Sequence, residues 1–404
     1  MTEENENSSI IVVSAGIMQL PAIKTAKQMG LTVIATDRNP NAPGFEHCDH
    51  GIAIDSKDVN GHVRYALANR EKFNIKAAFA GSDCAMTVAG ITDALGLPGI
   101  PMEVAQRSNN KALMKERWLR DKIPTPFGAE VSTLEEAKVV LKHCSFPVIV
   151  KAVDNAASRG SMRIDSEEQL PQALENARQA SSTGTAIIEE YVIGVEQSVE
   201  TIVWKGRHYY ISIADRMFGY HPYHIETAHI DPSVLPVEKQ HRIYEVVDAA
   251  ADSLGIDFGP AKADMIWTAK GPMILEMPAR LSGGFHSQYT TPLSSGKNPI
   301  RAVMEISLGQ DLDKALLYGT RNLTSICAGI FPQQGKLKAI SGVEEAKKID
   351  GVKEIVITKL PGDTIDDYVD NAHRFCWVVV VGQSKQHALD IFNTAKSLIR
   401  FEVV

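Results

Sequence analysis

The sequence has no C-x-x-C pair. Its five cysteines, Cys48, Cys84, Cys144, Cys327 and Cys376, are odd in number and widely scattered. This excludes a disulfide framework or a cysteine-rich zinc site and fits free thiols in a reducing compartment. Basic charge is not in excess either: 42 Lys and Arg stand against 49 Asp and Glu, a net charge of −7. A nucleic-acid surface built on bulk charge is thereby excluded. Long apolar runs are absent; stretches such as 377–381 are far too short to span a bilayer. Residues 1–10 are polar and acidic, unlike a secretory signal. The expectation is a cytoplasmic protein, with neither nucleic acid nor membrane as partner and a disordered tail over residues 1–9. Internal repeats and low-complexity segments are also missing.

What is present reads as two or three domains, because 404 residues exceed one ordinary core. Residues 10–108 alternate strand and helix, the pattern of a parallel sheet: strands at 10–13, 31–36, 51–54 and 75–81, helices at 19–29, 59–70 and 85–95. Asp37 at the tip of the second strand invites a dinucleotide reading, but G-x-G-x-x-G is lacking and Gly16 stands alone, so NAD is not expected. Ser82 and Asp83 read as the N-cap of helix 85–95.

Residues 109–321 form the next domain, with a lobe over about 124–195. Helix 109–122 carries Lys111 and Lys115, for which solvation is the ordinary explanation. A second helix is expected at 131–141. The β run PVIVKA ends near Lys151, which either snorkels at an edge or aims at an anion. NAASRGS, residues 155–161, is a small-residue loop whose backbone N–H groups could cover phosphates, although such turns are common. AIIEEYV, residues 186–192, is a buried strand holding Glu189 and Glu190. Gly194-Val195-Glu196 reads as a turn into strand 197–204, which pairs with 208–214. Residues 216–236 read as a long polar, aromatic loop, more often functional than idle, followed by an amphipathic helix at 237–254. His221, His224, His229 and His286 lack zinc spacing. From 322 the texture changes to strands at 325–331, 352–360 and 376–382 and a helix at 386–399. With no catalytic cluster there, a supporting C-terminal domain is expected.

The chain turns on residues 259–284, GPAKADMIWTAKGPMILEMPARLSGG. Two short strands flank a turn at 268–272, and each holds a carboxylate in an apolar run, Asp264 and Glu276. Such a group is costly unless it meets a partner or a metal. Facing one cleft, the pair would suit a Mg²⁺–nucleotide site, where phosphate oxygens and water complete the shell. Arg280 follows, and Ser282-Gly283-Gly284 can bring backbone N–H groups to an anion. Two acids in a hairpin, taken alone, are better explained as solvent-facing.

The joint order of Lys111, PVIVKA, NAASRGS, EEYVIGVE, Asp264 and EMPARLSGG resembles the ATP-grasp superfamily of carboxylate–amine ligases over residues 10–404. PYHIETAHIDPSVLP is most similar to the substrate loop of the L-amino-acid (dipeptide) ligase branch. The resemblance implies a mixed α/β and α+β ATP-grasp fold with a Rossmann-like pre-ATP-grasp domain (10–108), an ATP-grasp domain (109–321) and a small β-rich C-terminal domain (322–404). It implies ATP with Mg²⁺, or Mn²⁺ in its place, carboxylate and amine substrates, and a homodimer.

The same resemblance assigns ATP phosphates to Lys111 and Lys151, and the phosphate-covering loop to Ser158, Arg159, Gly160 and Ser161. The adenine edge goes to Glu189 with the backbone of Glu190 and Val192, and the ribose to Glu196. Leu275 joins the nucleotide site, and Asp264 and Glu276 become the metal ligands. Arg280 and Lys151 carry the catalytic role, and Glu226, His229, Arg280, Ser282, Gly283 and Gly284 meet the substrates. Three departures from the pattern stand out. Ala156-Ala157 stand where relatives have Gly, Pro278 replaces a metal-side Asn, and Cys376 replaces a Gly. A phosphoribosylglycinamide-synthetase or carboxylase-type enzyme and a non-catalytic ATP sensor remain alternatives on the same frame.

Overall fold

The structure, a computed structural model, describes residues 8–404. Residues 1–7 of the expected tail lie outside that range; Ser8 and Ser9 are buried, and the first strand begins at Ser9.

The chain opens with β1 (Ser9–Val13), α1 (Leu20–Gln28), β2 (Thr32–Asp37), β3 (His50–Ala53), α2 (Val59–Phe73), β4 (Ile75–Phe79) and α3 (Ala85–Leu95). The strands form a parallel sheet in the order β3-β2-β1-β4. Ile10, Ile11, Val12 and Val13 are all fully buried, as a strand covered on both faces requires. Asp37 accepts the Ala15 N–H (3.0 Å), so its carboxylate ties down the first turn. Ser82 and Asp83 do not cap α3. Its N-cap is Cys84, with no side-chain bond, because Asp83 is drawn away to Arg280.

Next come α4 (Met102–Arg107) and α5 (Lys111–Arg120), the latter capped by Asn110, which accepts from Ala112 and Leu113. A lobe follows: β5 (Gly128–Val131), α6 (Leu134–Leu141), β6 (Val148–Ala152), β7 (Met162–Ile164), α7 (Leu170–Ala180) and β8 (Ala186–Glu190), with sheet order β5-β8-β6-β7. The helix expected from residue 131 starts only at Leu134. Thr133 and Glu136 form a capping box there, and Val131 ends a strand instead.

The body comprises β9 (Gly194–Trp204), β10 (Arg207–Gly219), β11 (Ile225–Asp231), α8 (Val237–Leu254), β12 (Gly259–Thr268), β13 (Gly271–Glu276), α9 (Thr291–Ser295) and α10 (Pro299–Ser307). Two expectations fail here. Gly194-Val195-Glu196 is not a turn but the start of β9, paired with β12. Gly194 is needed because a Cβ would lie 2.2 Å from Trp267 O. Residues 216–236 are not an irregular loop. Arg216 to Gly219 continue β10 and pair with β11. Polar side chains occupy both faces because one face lines a polar cleft, so the alternation that marks a half-buried strand is erased.

The C-terminal part adds β14 (Thr324–Gly329), β15 (Gly335–Ser341), α11 (Val343–Lys347), β16 (Val352–Ile357), β17 (Thr364–Ile365), β18 (Cys376–Gly382), α12 (Lys385–Leu398) and β19 (Arg400–Val403). β15, β17 and β19 form a small sheet of their own in the order β17-β15-β19, but β14, β16 and β18 do not stand apart. One eight-stranded sheet runs β13-β12-β9-β10-β11-β14-β18-β16, so the boundary drawn at 322 falls inside a continuous sheet. Nor does 109–321 keep to itself. Ile300, Val303 and Met304 of α10 pack with Ile10, Val12 and Phe79 of the first sheet, because the apolar face of α10 is the one that covers β4. No helix among the described residues is long and apolar enough to cross a membrane.

Candidate active site

Asp264 on β12 and Glu276 on β13 are direct partners across the hairpin, and both line two adjoining clefts. The first cleft encloses about 880 Å³ between the lobe and the hairpin. The second, about 1230 Å³, reaches the first domain and the C-terminal part.

In the first cleft the lysines are fixed by carboxylates. Glu189, 3% exposed, pairs with Lys115 (2.8 Å) and Lys151 (2.6 Å), one oxygen each. Burial alone would raise its pKa, but the two ammonium groups outweigh burial and hold it at about 2. Lys115, 1% exposed, also donates to Thr125 Oγ1 (2.7 Å). Solvation does not explain it, and sequence reasoning missed its role. Glu189 likewise is not free to read an adenine edge; both oxygens are spent orienting lysines. The Glu190 carboxylate accepts the Phe127 N–H (3.0 Å). The Val192 N–H has no partner among the described residues and lies at the cleft. Glu196 meets His224 Nε2 at 2.7 Å, and Ile149, Ile266 and Leu275 supply apolar walls. Lys111 donates to Asn155 O (2.6 Å) and lies 3.4 Å from Glu276.

Residues 155–161 fold over both clefts. Ala157 and Ser158 hold positive φ, 60° and 59°, a strained pair for non-glycine residues. The C-terminal part holds them there. Asn371 N–H donates to Ala157 O (2.9 Å), Asn371 Nδ2 to Ser158 Oγ (3.2 Å), and Ser158 Oγ to His224 O (2.8 Å). Gly160 sits at φ 67°, where a Cβ would press on Ala180. Arg159 Nε donates to Asn155 Oδ1 (2.8 Å), and Ser161 lines the first cleft.

The second cleft is a lattice of alternating charge. Arg216 spans it, reaching Asp264 (2.6 Å) and both oxygens of Glu226 (3.2 and 3.1 Å). Lys262, 7% exposed, bonds the same Asp264 oxygen. Burial pushes Asp264 up, but Arg216 and Lys262 hold it below the usual carboxylate range. Burial opposes the charged form of Glu226 too, and Arg216 overrides it. His229 is driven down to about 3, by burial and then by neighbouring His286, so it stays neutral near pH 7. Its Nε2 meets Thr290 Oγ1 at 3.0 Å. Arg280 is held by Asp83 of the first domain (2.7 Å). Ser282 N–H is not available to an anion, because it donates to Glu200 (2.6 Å). The amides of Gly283 and Gly284 have no acceptor among the described residues. The C-terminal part is more than a support: Asn371, Arg374 and Trp377 line this cleft. Asp83, Arg216 and Lys262 were also missed, since nothing local distinguishes them from surface charges.

Among the described residues no group of three His, Cys, Asp or Glu could cage a metal ion. Two facing carboxylates fit Mg²⁺ brought with a nucleotide, whose phosphates supply the remaining oxygens.

The ATP-grasp domain description matches residues 144–288, and that of the L-amino acid ligase C-terminal domain 2 matches 329–404. The chain is an ATP-grasp ligase that carries the C-terminal domain of L-amino acid ligases. The ligase is 24% identical over 398 residues to dapdiamide A synthase of Enterobacter agglomerans, covering 90% of this chain and 89% of that one. It is 24% identical over 322 residues to the uncharacterised protein y4rH of Sinorhizobium fredii (strain NBRC 101917 / NGR234), covering 78% of this chain and 66% of that protein. The L-amino acid ligase of Bacillus licheniformis has the same fold, with a TM-score of 0.84 at 22% identity over 99% of both chains. The ligase is thus an ATP-dependent enzyme of the amide-forming class.

Proposed function

We propose that the ligase joins the carboxylate of one amino acid to the amine of another through an acyl phosphate, releasing ADP and phosphate. The observation that carries this reading is the placement of the Asp264–Glu276 pair where the two clefts meet, with Lys111 3.4 Å from Glu276.

In this reading adenine lies between Ile149, Ile266 and Leu275, its edge meeting the backbone at Glu190 and Val192, with Glu196 at the ribose. Lys111, Lys151 and residues 158–161 hold the phosphates. Asp264 and Glu276 would hold Mg²⁺, or Mn²⁺ in its place, and the ion would supply neutralisation of phosphate charge. Arg280 steers the attacking carboxylate to the γ-phosphorus and then steadies the acyl phosphate. The amine attacks its carbonyl, the Gly283 and Gly284 amides receive the developing oxyanion, and phosphate leaves. Residues 155–161, docked on Asn371, keep water from the acyl phosphate. A phosphoribosyl substrate is disfavoured, since Arg280, Lys262 and Arg216 are each matched by a carboxylate and form no free basic patch.

Release of ADP and phosphate, measured with ATP alone and with pairs of amino acids, tests the reading. Stimulation by a carboxylate plus an amine supports it; nucleotide binding without turnover refutes it. Glu226→Ala should raise KM for the amino-acid substrates at least about 10-fold, since Arg216 loses the anchor that aims it, with KM for ATP within about two-fold. An unchanged amino-acid profile with weaker nucleotide binding contradicts the assignment.

A further inference from the structure

Among the described residues, every cation of the second cleft but one has a carboxylate partner. Arg216 pairs with Glu226 and Asp264, Lys262 with Asp264, and Arg280 with Asp83. Arg374, which follows the short turn Asn371–His373, is different. Its Nε donates to Asn371 O (3.1 Å) and its Nη1 to Glu226 O (2.8 Å), both neutral carbonyls. Among the described residues no carboxylate forms an ion pair with it, and Nη2 has no acceptor. Beside it, with the ring 5.8 Å from the guanidinium, the buried indole N–H of Trp377 has no acceptor among the described residues. Both residues line the cleft. A desolvated guanidinium with an open edge is costly until an anion with paired oxygens arrives, and a carboxylate matches that edge.

We propose that Arg374, with Trp377 beside it, binds the carboxylate of the amino acid that supplies the amine, so that the acceptor must be an acid and not a simple amine. The inference rests on the ligase reading above. The acyl donor spends its carboxylate on the γ-phosphate, near Asp264, Glu276 and Arg280. The acceptor keeps its carboxylate through the whole reaction and into the product, so a fixed counter-charge serves it throughout. Arg374 is placed for this: it is tied to the backbone of Glu226, whose side chain reaches Asp264 only through Arg216. The C-terminal part thereby selects the acceptor.

The test starts from the wild-type ligase and ADP release with all pairs of the twenty L-amino acids, the acceptor of the best pair being identified from the product mass. That acceptor is then replaced by its primary amide. The amide should show a kcat/KM about 10- to 100-fold lower, the effect of losing hydrogen bonds to a charged partner. Arg374→Gln should erase most of this acid-over-amide preference and Arg374→Lys keep part of it, with KM for ATP within two-fold in both. Parity of acid and amide in the wild type overturns the proposal, and this comparison stands even if the variants do not fold. So does an unchanged preference in Arg374→Gln. Loss of discrimination between Glu and Gln as acyl donor, with the acceptor preference kept, assigns Arg374 to the donor side chain and overturns it as well. Silence with every pair refutes the ligase reading and this proposal with it.

Discussion

Glu276→Ala is expected to lower ADP formation by at least about 1,000-fold, the upper end of what one preorganised electrostatic group contributes, while the protein stays folded. Glu276 sits at the cleft wall with its side chain 24% exposed. Its loss leaves no bare buried cation, because Lys111 keeps its bond to Asn155 O (2.6 Å). Activity and stability therefore separate at this position. Asp264→Ala is the contrast: Arg216 and Lys262 would both lose the oxygen they share, so activity and stability should fall together. Steady-state ADP release beside a thermal melt checks both. Normal ADP release by folded Glu276→Ala would sink the metal assignment.

Glu189→Ala is expected to destabilise the protein by about 3–5 kcal/mol, the usual effect of breaking a buried pair. Lys115 and Lys151 would be left facing each other without a counter-ion. Lys115→Met should be far milder, since the Glu189–Lys151 pair at 2.6 Å survives and an apolar chain fills the space. The pH dependence has a definite sign. The folded pKa of about 2 lies below the ordinary 4.5, so the stability from this carboxylate is present above about pH 4.5 and lost as pH falls toward 2. Melting curves between pH 2 and 7 should show a shallower acid slope for Glu189→Ala than for wild type. Equal melting temperatures for variant and wild type at pH 7 would show that the lysines need no counter-ion.

Legibility followed the range of the physical signal. Helix 237–254 and strand 376–382 were readable to the residue because an apolar stripe or run and a clear stop lie within one segment. The Asp264–Glu276 hairpin was readable because two acids in apolar strands around a Gly-Pro turn leave few arrangements. Strand 225–231 was not, since both of its faces carry polar groups and the period-2 pattern vanishes where a strand borders a polar cleft. Glu189 was placed on the right strand but given the wrong partner; its lysines come from a helix and a neighbouring strand.

Local sequence thus determined the elements, the acidic hairpin and the order of motifs, because propensity and patterning act over a few residues. Which charges meet was decided only by the tertiary structure: Asp83 on Arg280, Arg216 across Glu226 and Asp264, Asn371 on the 155–161 loop, and Arg374 without a carboxylate among the described residues. Each of those outcomes depends on distance between segments remote in the chain. Coulomb energy and desolvation depend on that separation and on burial, and neither is written in the neighbourhood of any one residue.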